Sequence, residues 1–410
     1  MTQAGGPLLT LRSPILPGWS PGAATGALPS ERMSVTVDLL TAARSRDRVA
    51  GLTHGIYRYP ARFSPQFARV AIDSFTDTDD YVLDPFVGGG TTAVEALASG
   101  RRLVGFDLNP LCLLLVAAKT TPLYPPDWVD LRRWIERKRR GTSEPDPDDP
   151  RLRNAPMELV NELGPLARAI ARLDDERQRA AAKALLLHVG QKAIDGRAEP
   201  MKADAIRPML GRALKELREG LERLQGGARQ HGVVPSMLVR RRVLAVGSTD
   251  EIARGRGTNR LVGRVRLVLT SPPYPGVHVL YHRWQVHGRS ETALPYWLSG
   301  MEDGLGAKHY TMGSRSAFGD DEYFKASAAA WTAIHRLMAP NGAVVQLLAF
   351  ARPDSQLPRY LTTMSEAGFD LVEGDTSESW RMVPNRKWYF RVAPERPPAH
   401  EVLLVHRRRD

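Results

Sequence analysis

Two short segments hold side chains whose types and spacing suit chemistry on a ligand: Asp84-Pro85-Phe86-Val87-Gly88-Gly89-Gly90-Thr91-Thr92 and Thr270-Ser271-Pro272-Pro273-Tyr274. In the first, three adjacent glycines allow a sharp turn and a close approach, so a ligand rather than a side chain is expected to fill the space beside them. The spacing is not the G-x-G-x-x-G fingerprint of a dinucleotide site. A carboxylate at Asp84 would repel pyrophosphate and attract a cationic ligand. Asp107 ends the next apolar stretch, where a carboxylate in a nucleotide-binding fold accepts hydrogen bonds from ribose hydroxyls. A cationic end and a ribose together describe S-adenosyl-L-methionine, which carries an ammonium and a sulfonium. The competing reading is a tight turn followed by a capping aspartate.

In the second segment, Pro272 and Pro273 cannot donate backbone hydrogen bonds and hold the chain extended, so a strand stops there with carbonyls pointing out. Such acceptors suit an exocyclic base amine, whose lone pair is delocalised until its nitrogen turns pyramidal. The Ser271 hydroxyl and the Pro272 carbonyl supply acceptors, and the Tyr274 ring offers a face for an extruded base. Ordinary packing of Tyr274 beside a stiffened turn is the alternative.

Positioning these segments requires a sheet. Tyr81 to Leu83 and Arg102 to Phe106 read as strands, separated by a helix over Thr92 to Ser99 that stops at Gly100. That is the unit of a parallel sheet. Further strands are predicted at Val239 to Val246, Val265 to Leu269, Ala343 to Leu348, Leu371 to Glu373 and Glu401 to His406. Helices are predicted from Ser30, over Gln66 to Phe75, over Leu111 to Ala118 and over Glu322 to Met338. Gly141 to Pro156, rich in proline and acidic residues, reads as an exposed linker. Met157 to Gln230 reads as three helices broken near Asp174-Asp175 and around Gly196 to Pro200. The expected division is an arm and helix at 1–50, a cofactor part at 51–125, a helical insertion at 126–237 and a catalytic part at 238–410.

Composition narrows the partners. The 410 residues are 42% hydrophobic and 25% charged, enough for a substantial core. No apolar run is long enough to span a membrane and no secretory leader is recognisable, so a cytoplasmic location is expected. The single cysteine, Cys112, excludes a disulfide framework and a multi-cysteine metal site. It lies in an apolar helical run and is expected in the core, which disfavours carbon methylation through a cysteine nucleophile. A net charge of +12 places nucleic acid first among partners.

Asp-Pro-Phe-x-Gly-x-Gly-Thr-Thr resembles the cofactor motif of the DNA amino-methyltransferases, and Thr-Ser-Pro-Pro-Tyr resembles their catalytic motif. The resemblance implies an α/β fold: a Rossmann-like S-adenosylmethionine-dependent methyltransferase sheet with helices on both faces, interrupted here by the α-helical insertion. It further implies that Asp84, Pro85, Phe86, Gly88, Gly90 and Thr91 line the cofactor and that Asp107 holds its ribose. Ser271, Pro272, Pro273 and Tyr274 are then the catalytic residues. The segment around Phe63 and Pro65 resembles the part that closes over the methionine end. The adenine contact falls to Ser248, to Asp250 or to neither, since serine stands where aspartate is common. The serine form of the catalytic motif is more typical of N4-methylcytosine formation, and the aspartate form of N6-methyladenine.

Duplex DNA with the target base flipped out is the expected substrate, with an RNA base as an alternative and a degenerate nucleic-acid-binding protein as a third reading. His278, Tyr281, Arg283 and Trp284 mix aromatic and basic side chains suited to nucleic acid, while core packing competes for Tyr281 and Trp284. No metal is expected, because these histidines lack a matching carboxylate or cysteine set. The triplets Arg240-Arg241-Arg242 and Arg407-Arg408-Arg409 read as solvated charge or phosphate contacts. The insertion, only slightly basic, is open to recognising DNA, dimerising or bracing the fold.

Overall fold

Strands and helices alternate through most of the chain. In the computed structural model, the described residues are 30–45, 51–59, 62–137, 145–275, 283–287, 290–303, 318–373, 380–382 and 400–410. The order begins with α1 (Ser30–Arg44), α2 (Pro65–Phe75), β1 (Tyr81–Asp84), α3 (Thr91–Ala98), β2 (Arg102–Asp107) and α4 (Pro110–Thr120). Four helices follow: α5 (Pro125–Glu136), α6 (Met157–Ala169), α7 (Glu176–Ile194) and α8 (Ile206–Gln230). Then come β3 (Arg242–Val246), α9 (Thr249–Arg254), β4 (Val265–Thr270), β5 (Trp284–Val286), β6 (Ser290–Thr292) and α10 (Leu294–Ser299). The chain continues through α11 (Phe318–Leu337), β7 (Met338–Ala349), α12 (Pro353–Glu366), β8 (Phe369–Glu373), β9 (Trp380–Met382) and β10 (His400–Arg408).

The main sheet has eight strands in the order β3-β2-β1-β4-β7-β10-β8, with β9 also paired to β10. Strands β3, β2, β1, β4 and β7 are parallel, whereas β10 runs antiparallel to β7, β8 and β9. From β1 the chain winds outward through β2 and β3, then returns to place β4 on the other side of β1. This reversal is the topological switch point, and the crevice beyond the carboxyl ends of such strands is where open α/β sheets bind ligands. The glycine turn follows β1 and the Ser-Pro-Pro-Tyr segment follows β4, so both open onto that crevice.

Alternating strand residues bury opposite faces. Leu83, Val268, Val344 and Leu404 pack with Trp331 of α11 and Tyr360 of α12. Val82, Leu267, Leu269, Val345 and Leu403 pack with α1 and α2 through Leu39, Phe67 and Ile72. The expected α/β layering with helices on both faces is therefore present.

No helix was expected at α5, which begins with Pro125 and Pro126. Both sit in the first turn, where proline costs no helical hydrogen bond. Val239–Arg241, expected to open a strand, form a 3-10 turn, and β3 starts at Arg242. The three helices expected between Met157 and Gln230 are α6, α7 and α8. Their core also takes in Trp284, Val286, Leu294, Tyr296 and Leu298 from the hairpin β5–β6 and α10, far along the chain. Insertion and catalytic part thus share one hydrophobic cluster.

Candidate active site

Asp84 joins the two motifs. Its Oδ1 accepts from the Thr270 hydroxyl at 2.7 Å and from the Phe86 amide at 3.2 Å, and its Oδ2 accepts from the Thr92 hydroxyl at 2.7 Å. Thr92 also reaches the Leu269 carbonyl at 3.2 Å. Burial raises the Asp84 carboxyl to about 6, against the pull of those three hydrogen bonds. A carboxylate offers about four acceptor positions, so one position and the charge stay available to a cation.

Asp107 is oriented by the main chain. Gly88 N–H donates to its Oδ2 at 2.9 Å and Asn109 N–H to its Oδ1 at 2.9 Å. Burial raises this carboxyl as well. Gly247 N–H bonds to the Asp107 carbonyl at 3.0 Å, and the Thr249 hydroxyl to the Pro85 carbonyl at 2.8 Å. These bonds bring the Ser248-Asp250 segment beside the ends of β1 and β2, with Ser248 Oγ donating to Asp250.

The glycine turn corrects an expectation. Gly88 and Gly90 have φ values of +45° and +78°, which favour glycine. The space beside the turn is filled by protein: a Cβ on Gly89 would lie 2.6 Å from Tyr59 Cβ, and one on Gly90 would lie 2.8 Å from Val116 Cγ2. The glycines therefore allow side chains of the protein itself to close in, and a ligand has to approach from the strand ends. Lys119 Nζ donates to the Gly89 carbonyl at 2.7 Å, and burial together with nearby Arg62 lowers this ammonium to about 7.

Tyr59 is held from the insertion. Gln191 of α7 grips the Arg58 backbone twice, accepting from its N–H at 2.8 Å and donating to its carbonyl at 2.7 Å. His188 Nδ1 accepts from Tyr57 N–H at 2.8 Å, and burial lowers this imidazole to about 3. Gly220 lets α8 approach the same segment, since a Cβ there would lie 2.2 Å from the Leu52 carbonyl oxygen. Of the three roles open to the insertion, bracing is the one these bonds perform. Gln191→Leu is expected to weaken cofactor binding about tenfold and lower the unfolding midpoint by a few degrees, because two backbone groups of Arg58 lose their partner. Calorimetric binding and thermal unfolding check this; unchanged affinity would mean that Tyr59 does not depend on the grip.

Ser271 and Tyr274 lie on the other side of the crevice. Ser271 Oγ is 3.0 Å from the Leu347 carbonyl oxygen and 3.0 Å from Tyr274 Oη. Tyr274 Oη in turn donates to Glu401 Oε1 at 3.0 Å. The Pro273 carbonyl accepts from the Tyr323 hydroxyl at 2.9 Å. Glu401 had no sequence signal: it begins an ordinary strand far along the chain, and only the ladder from β7 to β10 brings it near.

Several residues expected at the site have partners within the protein. Phe63 is buried against Phe67, with ring centroids 5.4 Å apart, and Pro65 occupies the first turn of α2 behind the capping Ser64. Trp284 is 1% exposed and its indole donates to Tyr57 Oη, so it is a core residue and cannot stack on a base. Arg283 pairs with Asp303. His278 and Tyr281 lie outside the described residues. Arg241 is buried and bonds to Asp79 and the Gly100 carbonyl, and Arg242 bonds to Thr120 and Thr121. Arg407 and Arg408 donate to main-chain carbonyls and Arg409 pairs with Asp370, so these arginines, with Arg241 and Arg242, fasten the fold, while Arg240 is exposed. Cys112 is buried, as expected. No group of three or more metal-binding side chains occurs among the described residues.

Residues 39–116, which span the glycine turn and Asp107, match the DNA methylase family of the N6 and N4 type. Over this stretch the chain is similar to DNA amino-methyltransferases. It is similar to the type II methyltransferase M.MvaI of Kocuria varians, 42% identical over 77 residues that make up 18% of this chain and 17% of that one. It is also similar to the type II methyltransferase M.MjaII of Methanocaldococcus jannaschii, 33% identical over 66 residues, or 16% of this chain and 12% of the relative. The matched part thus spans under a fifth of either relative. Among solved structures, the rRNA methyltransferase aviRa from Streptomyces viridochromogenes aligns with a TM-score of 0.35 at 12% identity, covering 88% of this chain and 94% of that one. So loose a likeness adds nothing to the strand order.

S-adenosyl-L-methionine fits the residues at this crevice. Asp84 would provide buried negative charge for its cationic end, and Asp107, oriented by two main-chain amides, would accept from its ribose.

Proposed function

We propose that this chain transfers a methyl group from S-adenosyl-L-methionine to an exocyclic amine of a DNA base, with N4 of cytosine as the target. The observation that carries the reading is the 2.7 Å bond between Asp84 and Thr270, which ties the cofactor turn to the catalytic segment across the switch point. Thr270 lies outside the residues matched by the family, so the catalytic half rests on this geometry and on the Thr-Ser-Pro-Pro-Tyr sequence. Ser271 in the first motif position favours cytosine.

In this reading Asp84, Phe86 and the turn from Gly88 to Thr91 hold the cofactor, Asp107 its ribose, and Ser248 or Asp250 its adenine. The cofactor supplies an electrophilic methyl on a sulfonium. Ser271 Oγ and the Pro272 carbonyl orient the amine, and the Tyr274 ring stacks on a base swung out of the duplex. Positioning does most of the work. The chain is organised as cofactor and catalytic parts at 51–125 and 238–410, with the helical insertion at 126–237 bracing them.

Labelled S-adenosyl-L-methionine incubated with duplex DNA and with RNA, followed by digestion to nucleosides, tests the reading. Label in N4-methylcytosine is expected. Label in N6-methyladenine would move the target base, and label only in RNA would overturn the substrate.

Cofactor binding should depend on pH through Asp84. With its carboxyl at about 6, Asp84 is charged above that pH and neutral below it. A cationic ligand favours the charged form, so Kd is expected to be flat above about pH 7 and to rise up to about tenfold per unit as pH falls below 6. Asp84→Asn should flatten this slope in calorimetric titrations. In the free protein the sign is opposite: a folded value above the unfolded one destabilises the fold above about pH 6, and the cost fades as pH falls toward the unfolded value.

A further inference from the structure

We propose that Glu401 is the terminal acceptor of the proton that leaves the target amine, reached through Ser271 and Tyr274. The inference rests on the methyl-transfer reading and adds to it a residue from a strand that lies outside both motifs. The groups form a line across the carboxyl edge of the sheet. Ser271 follows β4, Leu347 lies on the adjacent β7, and Glu401 opens β10, the next strand, where it pairs with Ala349 of β7. Glu401 is 4% exposed, and its Oε1 lies 3.0 Å from Tyr274 Oη.

Counting hydrogens gives the line a direction. Leu347 O, Ser271 Oγ, Tyr274 Oη and Glu401 Oε1 form three successive oxygen pairs, each 3.0 Å apart. With Glu401 ionised, only the serine and tyrosine hydroxyls bring hydrogens, so three pairs share two hydrogens. One added proton completes the set: Glu401 donates to Tyr274, Tyr274 to Ser271, and Ser271 to the Leu347 carbonyl. Across these three pairs the line can therefore take up one proton.

Methylation of an amine releases one. The amine lone pair forms the N–C bond while the C–S bond breaks with its electrons left on sulfur, which moves the positive charge to nitrogen. The nitrogen then passes a proton to Ser271 Oγ, Ser271 passes its own to Tyr274, and Tyr274 passes its own to Glu401. Glu401 ends neutral and loses the proton to water on product release. Each hydroxyl regains what it gave, and no oxidant or reductant is needed.

Glu401→Gln and Tyr274→Phe keep shape and ring but break the line, and each is expected to slow single-turnover methyl transfer to DNA about a hundredfold. Cofactor Kd should stay within about twofold of wild type in both, as expected for groups that carry the amine's proton and do not hold the cofactor. The double variant should be no slower than either single one, and the solvent deuterium isotope effect of the wild type should vanish in all three. Multiplying losses, a retained isotope effect, or wild-type rates in Glu401→Gln would overturn the relay. No methyl transfer by the wild type to any nucleic acid would instead overturn the underlying reading.

Discussion

Replacing Asp84 with alanine is expected to raise the cofactor Kd at least about a hundredfold and to cut turnover at saturating cofactor by a similar factor. Hydrogen bonds to a charged group contribute about 1.5–3 kcal/mol each, and Asp84 accepts three from within the protein. Its removal leaves the buried Thr270 hydroxyl without this partner and loosens the start of the catalytic segment together with the cofactor turn. On its sequence position alone, Asp84 would affect cofactor affinity far more than turnover. The bond to Thr270 makes both losses follow from one substitution. Asp84→Asn, which keeps one acceptor oxygen, should fall between alanine and wild type. Calorimetric Kd and single-turnover rates check the prediction, and unchanged turnover in Asp84→Ala would mean that the Thr270 bond does not hold the catalytic segment.

Tyr274→Ala should separate the two constants. Turnover is expected to fall about 10²–10³-fold, since a base loses a stacking face contributing about 1–3 kcal/mol and the serine hydroxyl loses its neighbour. Cofactor Kd should remain within about twofold, because Tyr274 bonds to Ser271 and to Glu401 on β10. Filter-bound label from DNA gives the rate, and equilibrium dialysis gives the affinity. A loss of cofactor binding equal to that of Asp84→Ala would show that the two roles are misassigned.

These two substitutions mark how far the linear pattern reaches. Asp84, Asp107, Ser271 and Tyr274 could be picked out because each stands at the end of an apolar run or beside glycines and prolines, signals that are local in the chain. The same locality misled for Trp284: its aromatic and basic neighbours suggested a nucleic-acid surface, whereas its burial is decided by α7 and Tyr57, which lie far away in sequence. Arg241 and Arg242 went the same way, since a basic triplet does not reveal which carbonyls and hydroxyls will surround it. The glycine turn was recognised, but not that Tyr59 and Val116 would occupy its flanks.

What the amino-acid order determined by itself is the alternation of strand and helix and the two segments at strand ends, because periodicity, capping and the limits of glycine and proline act over a few residues. Only the tertiary structure decided that β1 and β4 are neighbours, that α7 grips Arg58, and that Glu401 meets Tyr274. Those choices depend on which apolar faces are buried together and on which distant hydrogen-bonding groups are thereby forced into contact, and no short stretch of sequence contains both sides of such a bond.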